Sequence, residues 1–226
     1  MSALLHQPAV LVFTFVFIIL FPLADAFVYA RLQTALHVYL WNMLALWTLT
    51  LIAIALLYRD GFTLAQFGQN LGVYPRNILT SVGVVILVIV VMLLNKRQKR
   101  KIAPERLATQ TENLRKLIPT TPAERLALIP LAFTAGFCEE FLYRGYLLNI
   151  AASATKSLWV GLLISSICFG FAHLYQGRKG VIGTSISGLV FGMIFLASRS
   201  LLPGQLLHTA LDLAQLLELS KKSRAQ

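Results

Sequence analysis

The sequence predicts an all-α protein, a polytopic transmembrane helical bundle of about seven spans. Three observations carry that reading. Of 226 residues, 57% are hydrophobic and 13% charged, whereas an average soluble domain has ~45–50% apolar and ~25% charged residues. The mean hydropathy is +0.72. The apolar residues also fall into runs of bilayer-spanning length. A hydrocarbon core of ~30 Å needs about 20 of them as helix, because every backbone polar group in lipid must be paired within its segment.

Composition excludes a soluble single domain and a disordered tail. Nucleic acid is excluded as a partner as well, because the basic residues behind the net charge of +11 lie between apolar runs. With 14 Gly, 8 Pro and 2 Cys, neither a collagen-like repeat nor a disulfide framework is available, so stability comes from helices packed in lipid.

The runs are Val10 to Val28, Leu36 to Tyr58, Ile78 to Leu94, Leu126 to Ile150, Leu158 to Tyr175, Val181 to Ala197 and Leu201 to Leu219. The first ends in Ala24-Asp25-Ala26, which resembles a signal-peptidase site. Met1 to Ala9 carries no Lys or Arg, so the run reads as a retained span. Four regions follow. Residues 1–94 form an N-terminal three-span region, 95–120 a basic cytoplasmic loop, 121–219 a catalytic four-span region and 220–226 a basic cytoplasmic tail.

Basic residues set the orientation. Fifteen of 20 fall on one side of a seven-span arrangement: Arg31, nine from Lys96 to Arg125, Arg178, Lys179, Lys221, Lys222 and Arg224. Four fall on the other (Arg59, Arg76, Lys156, Arg199), and Arg144 lies inside a span. The positive-inside rule then puts the loop and the C-terminus in the cytoplasm and the N-terminus outside, in the cell membrane. Within the loop, Ile102, Leu107, Leu114 and Leu117 suit a helix lying on an anionic leaflet. A solvated topology signal is the plainer reading. Thr121-Pro122-Ala123-Glu124 forms a capping box with Pro at the first helical position, which starts the fourth helix there. Gly188 and Gly192 form a GxxxG, the spacing of close helix packing.

Glu139, Glu140, Arg144, His173, His208 and Asp212 all lie within apolar runs. Such a charge at a helix centre costs roughly 2.5–3.5 kcal/mol on insertion scales and normally faces a bundle interior or a wet cavity. Glu140 and Arg144 are spaced i,i+4 and can pair. Glu139 is rotated ~100° away on an α-helix and faces elsewhere. His208 and Asp212 are likewise i,i+4, so the carboxylate can orient the imidazole or both can address one ligand. His173 closes the aromatic sequence Phe169-Gly170-Phe171-Ala172-His173.

A carboxylate beside an imidazole, shielded from bulk water, can take a proton from water and hand it to a leaving amine. That chemistry is peptide hydrolysis without a Ser or Cys nucleophile. A zinc site competes, since two His and one Glu (here Glu139, His173 and His208) are a known catalytic ligand set. The local zinc-protease signature His-Glu-x-x-His is absent. The plainer readings are helix-helix glue for Glu140 and Arg144, and a satisfied core histidine for His173. The conjunction of all six favours a site.

Glu139-Glu140-Phe141-Leu142-Tyr143-Arg144 matches EExxxR, Phe169 to His173 matches FxxxH, and His208 to Asp212 matches HxxxN with Asp in the last place. In that order, over about residues 120–215, the set resembles the CAAX prenyl protease and bacteriocin-processing family of intramembrane endopeptidases. The resemblance implies Glu139 as the base that activates water and His173 as its assistant. It implies His208 and position 212 as oxyanion stabilisers, and Glu140 with Arg144 as the pair that holds the helix. It does not fix the cofactor: the family is described both as metal-free and as using one divalent metal such as zinc. Asp212 departs from the pattern, because an ionised carboxylate cannot donate a hydrogen bond, and is better suited to orienting His208.

The implied partners are a peptide or membrane-protein substrate and the lipid bilayer. Two further classes stay open: a proteolytically silent membrane partner or immunity protein, and a proton-coupled transporter using the same polar residues. Cys138 and Cys168 read as free cysteines acting as small hydrophobes, and Asp25 as interfacial. Depth poses one difficulty. Measured from Arg125 and Arg178, Glu139 lies ~21 Å into the membrane and His173 only ~7–8 Å. They meet if residues 122–130 project into the cytoplasm, with a bend at Pro130.

Overall fold

The computed structural model describes residues 2–70, the isolated positions 79, 82, 83 and 86, and residues 115–223. Most of the run Ile78 to Leu94 and most of the basic loop 95–120 lie outside the described residues. Among those described, all regular structure is helical. We label six helices: α1 (Pro8–Arg31), α2 (Ala35–Arg59), α3 (Pro122–Thr155), α4 (Leu158–Phe171), α5 (Gly177–Ser198) and α6 (Leu202–Ser223).

Local chemistry sets the helix ends. The Thr34 hydroxyl accepts from His37 N at the start of α2, and the Ser157 hydroxyl accepts from Val160 N at the start of α4. The expected capping box opens α3: Thr121 accepts from Glu124 N, and the Glu124 carboxylate accepts from Thr121 N at 2.9 Å. Two helices stop at residues in the left-handed conformation, Lys156 (φ 55°) and Arg199 (φ 53°).

Four described segments are long and apolar enough to cross a membrane: α1, α2, α3 and Leu174–Ser198, which contains α5. The chain is a multi-pass membrane protein. The described residues do not reach the expected seven spans. α4 has 14 residues, ~21 Å of helix against a ~30 Å core. The expected span to Tyr175 breaks instead at Phe171, and His173 falls in the turn before Leu174–Gln176.

The segments expected on one side of the membrane gather at one end of the bundle. Lys116 Nζ donates to the Tyr29 and Ala30 carbonyls (3.0 and 2.8 Å), satisfying acceptors near the end of α1. Glu124 accepts from Leu36 N, and Tyr175 packs on Tyr29 with ring centroids 4.7 Å apart. Leu117, expected on a leaflet, packs instead on a cluster containing Tyr29, Val38 and Tyr39. At the other end, Asn70 donates to the Arg199 carbonyl and Leu201 N donates to the Gly68 carbonyl.

Counting from this second end resolves the depth difficulty. Glu139 lies sixteen residues before Thr155, and His173 lies sixteen after Ser157 across the α3–α4 hairpin, so the two are at the same chain distance from that turn. α3, with 34 residues, is longer than a bilayer requires. The helix runs on through Pro130 without interruption.

Small residues bring the helices together. A β-carbon on Gly188 would meet Ser166 Cα at 3.0 Å, and one on Gly192 would overlap Leu162, so the GxxxG of α5 packs on α4 as expected. One on Gly161 would meet Ala152 N at 2.7 Å, closing α4 on α3.

Candidate active site

The centre of the bundle departs from α-helical geometry. Within α3, Ala135–Leu147 is a 13-residue π-helical segment, far longer than the single-turn π-bulges usually found near functional sites. The i→i+5 hydrogen bonds of a π-helix widen the turn, so neighbouring residues are separated by less than the ~100° of an α-helix. This overturns one expectation. Glu139 and Glu140 do not face different directions; both reach the same imidazole, at opposite nitrogens.

That imidazole is His208 of α6. Its Nδ1 lies 3.0 Å from Glu140 Oε1, and its Nε2 lies 3.7 Å from Glu139 Oε2 and 3.6 Å from Asp212 Oδ2. A carboxylate only accepts, so Nδ1 carries the proton in that bond and Nε2 is turned toward the other two acids. The bonded orienter of His208 is therefore Glu140 and not, as the spacing suggested, Asp212. Phe191 of α5 stacks on the ring at 4.9 Å.

Glu140 also forms the expected ion pair with Arg144, at 3.0 Å, and both side chains are 1% exposed. Arg144 Nη1 has no aligned hydrogen bond, so this contact is a charge pair. The guanidinium otherwise lies over the rings of Phe169 (4.3 Å) and Phe191 (5.3 Å), and Nη2 donates to the Gly188 carbonyl. Gly204 leaves room for the acid: a β-carbon there would sit 3.1 Å from Glu140 Oε2. The Glu139 and Asp212 side chains are 14% and 30% exposed. The sealed pair holds the imidazole, while Glu139 and Asp212 keep partial exposure.

His173 stands on the neighbouring wall. Its Nδ1 lies 2.8 Å from the Phe169 carbonyl, and since a carbonyl only accepts, Nδ1 donates and Nε2 is left as the acceptor of the neutral ring. Phe169 touches both imidazoles edge-on, with centroids 4.8 Å from His173 and 6.0 Å from His208. The structure thus brings every site residue named from sequence to one centre: Glu139, Glu140, Arg144, Phe169, His173, His208 and Asp212. Among the described residues, no three His, Cys, Asp or Glu side chains are grouped to hold a metal ion.

Several contributors escaped sequence reasoning. Phe191 was readable in part, because it precedes Gly192 of the close-packing motif. Gln205 and Gln69 exchange amide hydrogen bonds at 2.9 and 3.4 Å, and Gln205 Nε2 also donates to the Phe137 carbonyl, tying a loop of the N-terminal region to the turn before His208. No periodicity marks that pair. Asp25, expected at an interface, is 5% exposed and accepts from Trp41 Nε1 at 2.7 Å. Cys138 and Cys168 are free, as expected.

No curated protein and no solved structure matches the chain. Residues 121–214 match the family model described as Type II CAAX prenyl endopeptidase Rce1-like, and all three motifs fall within that match. By motif order, by the convergence of the motif side chains and by this match, the region 121–214 is similar to the CAAX prenyl protease family.

Proposed function

We propose that the chain is an intramembrane endopeptidase that hydrolyses a peptide bond with water activated by Glu139. The observation that supports this most is the division of labour between adjacent carboxylates. Glu140 is sealed against Arg144 and His208, while Glu139 is partly open, with His208 Nε2 3.7 Å away and no hydrogen bond to it. An open carboxylate can accept a proton from water, and the oxygen so activated attacks the substrate carbonyl. His173, whose Nε2 is left as an acceptor, shares or relays that proton. His208 Nε2, when protonated, donates to the oxygen that gains charge in the tetrahedral intermediate. The proton on Glu139 then passes to the leaving amine. Asp212, an acceptor when ionised, holds the Nε2 side of His208 and does not itself bind the oxyanion.

The substrate class by family likeness is a prenylated C-terminal peptide, with a leader peptide or a membrane-protein segment also accommodated. The orientation that suits the basic residues places the N-terminus outside and the C-terminus in the cytoplasm. Cleavage of a farnesylated peptide by the purified full chain in liposomes tests the assignment. Glu139→Gln, nearly isosteric, is expected to lower the rate by about 10²–10⁴-fold while leaving the thermal transition in place. Retained cleavage by the folded variant would remove the base.

A further inference from the structure

A cavity lies at the opposite end of the bundle from Tyr175 and the loop 115–121. It encloses about 690 Å³ and is lined by residues of the 64–68 turn, Asn149 of α3, Leu158 and Trp159 at the start of α4, and Met193 to Arg199 at the end of α5. Its walls divide by chemistry. Leu158, Trp159 and Met193 are apolar and 54%, 69% and 55% exposed, as side chains facing acyl chains would be. Gln66, Asn149 and Arg199 are polar lining residues, and Arg199 stands where α5 ends, at the end of the bundle where α3 ends and α4 begins. Arg199 is exposed, and among the described residues its guanidinium has no acidic partner. Its left-handed backbone caps α5, and its carbonyl is held by Asn70.

We propose that this cavity binds a single anionic phospholipid of the bilayer, with Arg199 on the phosphate and one acyl chain along Leu158, Trp159 and Met193. Charge complementarity selects the occupant. A cation at the level where the helices end meets lipid phosphate, and an apolar wall running from it into the membrane meets the chain attached to that phosphate. The site is remote from Glu139 and does not depend on proteolysis.

Trp159 supplies the probe, since brominated acyl chains quench indole emission on contact. The full chain is reconstituted in vesicles of unlabelled phosphatidylcholine, and brominated phosphatidylglycerol or brominated phosphatidylcholine is titrated in. A parallel Trp159→Phe protein subtracts the emission of Trp41 and Trp47. Brominated phosphatidylglycerol is expected to quench Trp159 at about fivefold lower mole fraction than brominated phosphatidylcholine, the preference of one surface cation for an anionic head. Arg199→Gln, which keeps the side-chain length and the backbone carbonyl, should abolish that preference. Equal quenching by the two lipids in the parent protein would overturn the proposal. So would a preference that survives Arg199→Gln, or a Trp159 that neither lipid reaches, which would show the cavity covered by protein.

Discussion

The two N-terminal helices and α3 are all apolar enough to cross a membrane, yet the bundle uses them differently. In α1 and α2, 28% of the most apolar window is buried; in α3 the share is 56%. The outer helices turn Leu11, Phe15, Leu44 and Leu51 outward and present a lipid-facing surface. α3 is surrounded, and its segment 140–148 is buried throughout. The difference teaches where this chain can keep charge. An arginine and a glutamate persist at the centre of α3 because each has the other, aromatic faces and an imidazole for company. A helix that borders lipid offers no such partners, and α1 buries its one carboxylate inward against Trp41.

The severest break in that contrast is Arg144→Ala. Removing one member of a buried ion pair leaves Glu140 uncompensated, which costs about 3–5 kcal/mol. The loss extends past the pair, because Arg144 also fills the space between Phe169 and Phe191. Thermal unfolding in detergent should show a large drop. Arg144→Met, with Glu140→Gln in the same chain, should recover much of it, since a neutral pair of similar volume leaves no buried charge. An unchanged transition in the single variant would mean that Arg144 reaches water and that the centre of α3 is not sealed.

A middle-sized effect is expected at the join between the two regions. Gln69, in the N-terminal region, exchanges hydrogen bonds with Gln205, one turn before His208. Each such bond contributes about 1 kcal/mol net. Gln69→Ala should therefore lower stability by about 1–2 kcal/mol and slow cleavage several-fold with KM little changed, because the loss loosens the mounting of an imidazole and not the seat of the substrate. An altered KM with an unchanged kcat would reverse that assignment.

How much of this was legible beforehand follows the same division. The lipid-facing helices announce themselves through composition, since their side chains answer mainly to the solvent around them. The membership of the site was also legible: six ionisable residues in apolar runs have few places to go. The arrangement was not. Adjacent glutamates on an α-helix diverge, and nothing in Ala135–Leu147 announces a π-helix. The convergence of Glu139 and Glu140 on His208 depends on α6 closing against Gly136, where a β-carbon would lie 2.7 Å from Thr209 N. The α4 boundary failed for a related reason. Hydropathy continues through His173 to Tyr175, but the chain turns at Ala172, placing the imidazole of His173 in a break instead of on a helix face.

The smallest effect sharpens the comparison within one helix. Leu44 and Leu46 of α2 have the same side chain two positions apart, which on an α-helix puts them on nearly opposite faces. Leu44 is 65% exposed and Leu46 5%. In water, truncating an exposed leucine returns apolar surface to an unfavourable solvent. In lipid it exchanges one hydrocarbon neighbour for another, leaves no cavity and unpairs no polar group, so Leu44→Ala should stay within about 0.5 kcal/mol of the parent. Leu46→Ala opens a void among side chains that cannot flow into it, at about 2–5 kcal/mol. Unfolding titrations of the two variants in the same detergent measure that gap. Equal losses would show that α2 is enclosed on both faces, and the division between a lipid-facing shell and a buried centre would have to be redrawn with α2 inside.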